Sequence, residues 1–87
     1  IPKMTLRNKV KEIVGILKNA GNASFLGLIG EDSNRIQIIV VFLAILELVK
    51  QDMIDTDQSS LFGDISLSPS EKLFAISDEE FAISEEL

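Results

Sequence analysis

The feature that most constrains this sequence is a run of nine consecutive apolar residues, 38–46, which reads IIVVFLAIL. The run is far shorter than the ~20 apolar residues that a membrane-spanning helix needs, so it predicts a helix of a water-soluble domain. Apolar side chains fall on both sides of that helix when successive residues are turned by about 100°. A chain of 87 residues forms one domain at most, and so small a body covers only one of those two sides from within.

The two sides of this helix differ in their polar neighbours. We expect the core side to consist of Ile38, Ile39, Val41, Phe42, Ile45, Leu46, Leu48 and Val49. The other side holds Ile36, Val40, Leu43 and Ala44 beside Gln37, Glu47, Lys50 and Gln51. We predict that this second side docks on a partner protein. The alternative is that the hairpin or the C-terminal tail folds back over it.

The elements around this helix predict an α+β domain of the winged-helix type. Thr5 is a candidate cap for a first helix that ends near Asn19, with Gly21 as its left-handed C-cap. Residues 23–30 predict an extended entry and one helical turn, with Phe25, Leu26, Leu28 and Ile29 pointing inward. Asn34 and Gln37 resemble a capping box that opens the long helix. Alternating residues on either side of Ser59 and Ser60 predict a β-hairpin, completing the arrangement of three helices plus a C-terminal β-hairpin.

The end of the packed domain is expected near Pro69. We therefore divide the chain into a winged-helix domain over residues 1–67 and an acidic C-terminal tail over residues 68–87. Within the tail, FAIS at Phe74–Ser77 recurs at Phe81–Ser84, and Ser77 with Glu80 resembles another capping box. A short amphipathic helix and a frayed tail are both open. Because the sequence starts at Ile1 rather than at Met, we expect it to be part of a longer protein.

Composition argues against catalysis. The chain has no histidine, cysteine, tryptophan or tyrosine, which removes the commonest general base and the thiolate metal ligands. Asp55, Asp57 and Asp64 lie near the hairpin, but their spacing matches no known cation-binding loop. We therefore predict no enzyme activity, no cofactor, no metal and no catalytic residues. The absence of cysteine also agrees with a cytoplasmic location.

Charge is distributed unevenly along the chain. Residues 1–20 carry Lys3, Arg7, Lys9, Lys11 and Lys18 against Glu12, whereas residues 51–87 hold ten acids and one lysine. An acidic C-terminal third repels phosphate backbones, so direct binding to nucleic acid is not expected. The alternative function is a winged-helix domain that binds nucleic acid through the basic first helix, where Arg7, Lys11 and Lys18 share one stripe with Lys9 nearby.

The stretch from Ile38 to Leu67, IIVVFLAILELVKQDMIDTDQSSLFGDISL, resembles the C-terminal domain of segregation and condensation protein A. This family comprises the bacterial and archaeal kleisin subunits of the SMC condensin. The pattern consists of a β-branched run, FLALLELVK, a short strand, a glutamine and LFGDI, which stand here at Phe42–Lys50, Gln58 and Leu61–Ile65. Two features depart from the pattern: Ile36 and Gln37 replace a frequent acidic pair, and the extension after Leu67 lies largely outside it.

The resemblance implies a non-catalytic subunit that bridges the ATPase heads of an SMC dimer in chromosome condensation and segregation. Its C-terminal winged helix would bind the face of one head distal to the coiled coil. Regions absent from this chain would recruit a second winged-helix subunit, ScpB, and the complex would be cytoplasmic and associated with the nucleoid. Neither a membrane nor a nucleotide is expected to contact this chain. The residues that we expect to contact the head are Ile36, Val40, Leu43, Glu47, Phe62 and Ile65. Pairing of the apolar face with a second copy is a further alternative for the isolated chain.

Overall fold

A computed structural model describes residues 2–59 and 63–76 of the chain. In this part the order of elements is α1 (Lys3–Ala20), β1 (Ala23–Ser24), α2 (Phe25–Ile29), α3 (Arg35–Lys50), β2 (Ile54–Asp57), β3 (Ser66–Pro69) and α4 (Glu71–Ala75). The described strands form one antiparallel sheet in the order β1-β3-β2. The predicted α+β class is thereby confirmed, and α4 is an element that the sequence did not predict at this position.

Helix α1 packs its apolar stripe against α3 and the sheet. Leu6, Val10, Ile13, Val14 and Leu17 are all buried. The helix begins at Lys3 after Pro2, so the prediction that Thr5 caps it is wrong. Proline suits this position because the first N–H groups of a helix have no partner inside the helix. At the other end Gly21 adopts φ 84° and its N–H donates to the carbonyl of Leu17, as predicted.

Two predictions for α2 and α3 can be compared directly with the structure. The capping box of α3 is present, because Asn34 Oδ1 accepts from the Gln37 N–H at 2.8 Å and Gln37 Oε1 accepts from the Asn34 N–H at 2.9 Å. The extended entry and single turn over residues 23–30 are also present, as β1 and α2. The inward placement of Leu26 is wrong, since more than half of this residue is exposed.

The second strand of the hairpin differs from the prediction. Strand β3 starts at Ser66 rather than near Leu61, because the residues just before it bond to α2 instead of to β2. Its register pairs Thr56 with Leu67 and Ile54 with Pro69. Of these, Leu67 and Ile54 are buried under α1 and α3, whereas Asp55 and Asp57 belong to the other face of the sheet.

The packed body extends past residue 67, where the sequence placed the end of the domain. Strand β3 continues to Pro69, and Leu73 of α4 is fully buried in the core. Two lysines fasten α4: Lys72 Nζ donates to the carbonyl of Gln51 at 3.0 Å and Lys18 Nζ donates to that of Ile76 at 2.9 Å. The predicted amphipathic helix over 78–87 lies outside the described residues.

Candidate docking surface

Six apolar residues form an exposed surface along α3, which we call the apolar face. Its members are Ile36, Ile38, Ile39, Phe42, Leu46 and Val49. Each is between 36% and 63% accessible to solvent. At about 100° per residue they occupy roughly 160° of the helix circumference, so they form one continuous strip. Isolated apolar residues are normal on protein surfaces, whereas a continuous apolar strip usually marks a contact site.

The side of α3 that was predicted to face a partner is the buried side. Val40, Ala44 and Glu47 are almost fully inaccessible, together with Val41, Ile45 and Leu48. Conversely, Ile39, Phe42 and Leu46, which were predicted to lie in the core, belong to the apolar face. The prediction of the outward side is therefore wrong for most of the helix, although an apolar side is indeed left uncovered among the described residues.

Glu47 explains why the buried and exposed sides of α3 were predicted the wrong way round. A glutamate inside a helix is expected to face water, and this expectation assigned its whole side to the surface. Here the carboxylate is buried, and its Oε1 accepts a hydrogen bond from Gln51 Nε2 at 2.7 Å. Burial of a polar group is tolerated when such bonds replace those to water. Ala44 is the signal that was missed, because a small residue in mid-helix lets a neighbouring helix such as α1 approach closely.

The other residues expected to contact a partner have mixed positions. Ile36 is the most exposed member of the apolar face. Leu43 and Ile65 are half-buried and pack against the core, so each offers only part of its surface. Phe62 lies outside the described residues. Among the described members of the predicted set, Ile36 alone lies fully on the apolar face, while Val40 and Glu47 are inaccessible to a partner.

Helix α2 extends the apolar face on one side. The ring of Phe25 meets that of Phe42 edge to face, with centroids 6.3 Å apart and an interplanar angle of 74°. This geometry is favourable for two aromatic quadrupoles. Leu26 follows Phe25 and is 57% exposed. The predicted inward placement holds for Phe25, which is half-buried and packs against the core, and is wrong for Leu26.

Asp64 of the LFGDI block fixes the start of α2. Its Oδ1 accepts from the Leu26 N–H at 3.0 Å and from the Ile65 N–H at 2.8 Å, while Ser24 Oγ accepts from the Gly27 N–H at 3.0 Å. The Leu26 N–H lowers the pKa of the Asp64 carboxyl from its ordinary value of 3.8, against a smaller opposing effect of desolvation. The Ile65 carbonyl in turn accepts from the Phe25 N–H at 2.9 Å. Asp64 thus binds a backbone N–H in the first turn of α2, whose N-cap is Ser24.

Gln58 has a comparable structural task. Its Nε2 donates to the carbonyl of Gly63 at 3.0 Å, which closes the connection between β2 and β3. The glutamine and the LFGDI block recognised in the sequence are therefore linked directly. This connection also includes residues 60–62, which lie outside the described part.

Neither a metal site nor a membrane span is found in the described residues. Among residues 2–59 and 63–76, no three acidic, histidine or cysteine side chains are grouped to hold a metal ion. Within the same ranges no helix combines the length and apolar character needed to cross a membrane.

The described residues define a small α+β domain whose longest apolar helix keeps one apolar face exposed within that part of the chain. The family model described as Segregation and condensation protein ScpA matches residues 1–70, and the chain belongs to that family. The resemblance recognised in the FLAILELVK and LFGDI blocks is therefore confirmed.

Curated relatives support the same assignment. Segregation and condensation protein A of Clostridium acetobutylicum is 40% identical over 60 residues, which are 69% of this chain and 24% of the relative. The protein of that name from Lactococcus lactis subsp. lactis is 30% identical over 69 residues, or 79% of this chain and 28% of the relative. The protein of that name from Caldanaerobacter subterraneus is 28% identical over 61 residues, which are 70% of this chain and 25% of the relative. The chain thus spans about a quarter of the length of these relatives.

Proposed function

We propose that this chain is the winged-helix module of a non-catalytic kleisin subunit and that it docks on the ATPase head of an SMC protein during chromosome segregation and condensation. The observation that carries the proposal is the apolar face of α3 on a member of the ScpA family. Docking would keep the kleisin on the head while other regions of the protein recruit ScpB. The complex would act in the cytoplasm on the nucleoid.

Covering the apolar face would contribute favourable free energy to such a contact. Covering the exposed half of a leucine, isoleucine or phenylalanine is worth roughly 1–2 kcal/mol. Six such residues give on the order of 10 kcal/mol, against an association cost of about 4–15 kcal/mol. Phe42 lies midway along α3 and is supported by Phe25, so we expect it to be the central contact.

Charge insertion on the apolar face tests this proposal. Calorimetric titration against purified SMC head domain is expected to give a dissociation constant of about 1 μM or less for the parent chain. Leu46→Arg places a guanidinium in the contact, and we expect at least a ~30-fold loss of affinity, or about 2 kcal/mol. Met4→Arg, at an apolar residue of α1 that is 63% exposed against 44% for Leu46, is the control and should bind like the parent.

Three results decide the matter. No binding of the parent chain would refute the proposed docking. Equal losses for Leu46→Arg and Met4→Arg would place the contact elsewhere. Sedimentation of the parent as a dimer, with Leu46→Arg monomeric and both chains binding the head equally, would assign the apolar face to a second copy instead.

A further inference from the structure

A single arginine, Arg35, lies at the N-terminal end of the apolar face of α3. At about 100° per residue, Phe42 and Leu46 lie about 20° to either side of it around the helix, so Arg35 is on the midline of the strip. Ile38 and Ile39 follow three and four residues later and are its neighbours on the helix surface. Arg35 is exposed, as both of these isoleucines are. The apolar face therefore has a positive charge at one end of its midline.

Arg35 has no counter-ion in the described part of the chain. The only acid of α3, Glu47, is buried. Glu31 and Asp32 lie shortly before α3, but neither forms an ion pair with Arg35. Lys50, the other cation of α3, already has an interaction within the chain. The exposed side of α3 is thus positive, on a chain whose formal net charge is −6.

Docking through the apolar face changes the surroundings of this charge. A protein that covers Ile38 and Ile39 also removes water from the stem of Arg35 and from one side of its guanidinium, because the three residues are neighbours on the helix surface. A guanidinium that loses water without gaining acceptors opposes binding, since its N–H donors are left unsatisfied. A carboxylate satisfies two of these donors at once in a bidentate pair. Charge complementarity therefore favours a partner with a carboxylate at this point.

We propose that Arg35 pairs with a carboxylate of the partner protein at the N-terminal end of the apolar face. This inference rests on the proposed function, and it names the chemistry of the surface that α3 meets: apolar along about 20 Å of the helix and acidic at one end. The acid lies where α3 begins, because a helical side chain leans toward the N-terminus of its helix. Arg35 thereby sets the direction of α3 on the partner, since the reversed helix would bring that carboxylate next to Val49 and leave the guanidinium unpaired.

Charge reversal at Arg35 tests the proposal in calorimetric titrations against purified SMC head domain. At ~50 mM salt, Arg35→Glu should bind about 5–30-fold more weakly than the parent chain, because two carboxylates then face each other. The difference should shrink to less than about 3-fold at ~500 mM salt, where screening is strong. Arg35→Lys keeps the charge without the planar fork, so its affinity should lie between those of Arg35→Glu and the parent. Glutamate is favourable in the first turn of a helix, so Arg35→Glu should stay folded, which circular dichroism checks.

Arg7→Glu is the matched control, because it makes the same change of charge at an exposed residue of α1. Helix α1 packs on the buried side of α3, so Arg7 lies away from the apolar face. This control should bind like the parent at both salt concentrations. Leu46→Arg separates the pairing from the docking on which it rests. Parent-like binding of Leu46→Arg would refute the docking face, whereas a loss in Leu46→Arg without a loss in Arg35→Glu would refute the pairing alone.

Four further results would overturn the pairing. Equal losses for Arg35→Glu and Arg7→Glu would mean that the net charge of the chain sets the affinity. A loss for Arg35→Glu that stays the same at ~500 mM salt would come from altered packing rather than from charge. Tighter binding of Arg35→Glu would place a cation of the partner at this point. Weaker binding of a short DNA duplex by Arg35→Glu, with unchanged affinity for the head, would assign Arg35 to a phosphate instead.

Discussion

The clearest test of the fold is a leucine-to-alanine change beyond the predicted end of the domain. Leu73 lies in α4, six residues after the predicted boundary at residue 67, and it is fully buried. Leu73→Ala removes its contacts with the core and leaves a cavity, which costs about 3 kcal/mol within a range of roughly 2–5 kcal/mol. For a chain of this size the total stability is on the order of 4–13 kcal/mol, so the change removes a large part of it.

Urea unfolding followed by far-ultraviolet circular dichroism measures this loss. With a slope of about 1–1.5 kcal/mol per molar urea for so small a domain, the midpoint should fall by roughly 2–3 M. The adjacent Phe74 is 59% exposed, and Phe74→Ala should lower the stability by less than about 1 kcal/mol. The core assignment of α4 is refuted if the two variants lose similar amounts of stability, or if Leu73→Ala unfolds at the same urea concentration as the parent.

Three further predictions concern α3, the turn after it and the cap of α2. Val40→Asp buries an unpaired charge and should lower the free energy of unfolding by about 3–5 kcal/mol. Leu46→Arg on the apolar face should change it by less than about 1 kcal/mol. If urea unfolding shows the reverse order, the side of α3 that was expected from the sequence to face outward is the exposed one. Asp52 adopts φ 59°, in the left-handed region that glycine tolerates best. Asp52→Gly should therefore relieve up to about 1 kcal/mol of backbone strain and raise the thermal unfolding midpoint, and Asp52→Val should lower that midpoint. The folded-state pKa of Asp64 is lowered, so its contribution to stability is present above about pH 3.8 and is lost as the pH falls through the folded-state pKa. Unfolding of Asp64→Asn measured from pH 6 downward should therefore show a weaker acid dependence than the parent, and identical profiles would contradict this assignment.

The sequence predicted the elements well and their faces less well. The helices α1 and α3, the Gly21 cap and the Asn34 capping box depend on local spacing and local hydrogen bonds, which can be recognised from a few neighbouring residues. The inward side of α3 depends on which neighbour packs against it. Apolar residues surround that helix almost completely, so periodicity could not select a side, and Glu47 favoured the wrong one.

The start of β3 and the role of α4 depended on long-range contacts. Asp64 and Ile65 fit an alternating strand pattern, yet they bond to α2, almost forty residues earlier. Leu73 was not predicted to be buried, because it follows Pro69, where the packed domain was expected to end. Both errors have one physical origin, which is that tertiary contacts override local preference in short segments.

The last prediction connects Asp64 with docking, and it rests on the proposed function. Asp64 accepts from the Leu26 N–H, the Phe25 N–H donates to Ile65, and the ring of Phe25 supports Phe42 in the apolar face. Asp64→Ala should therefore weaken binding to the SMC head by about 3–10-fold, because it removes a hydrogen-bond acceptor from the first turn of α2.

Asp64→Asn keeps a carbonyl oxygen that accepts from the same N–H groups, so it should recover most of the affinity at neutral pH. Ring resonances of Phe25 and Phe42 report the same event without a partner, and they should shift in Asp64→Ala and return in Asp64→Asn. If affinity falls in both variants while the ring resonances stay unchanged, the carboxylate acts by its charge at the interface rather than by positioning α2. Full affinity of Asp64→Ala with shifted rings would mean that Phe25 is dispensable and that α3 alone forms the contact.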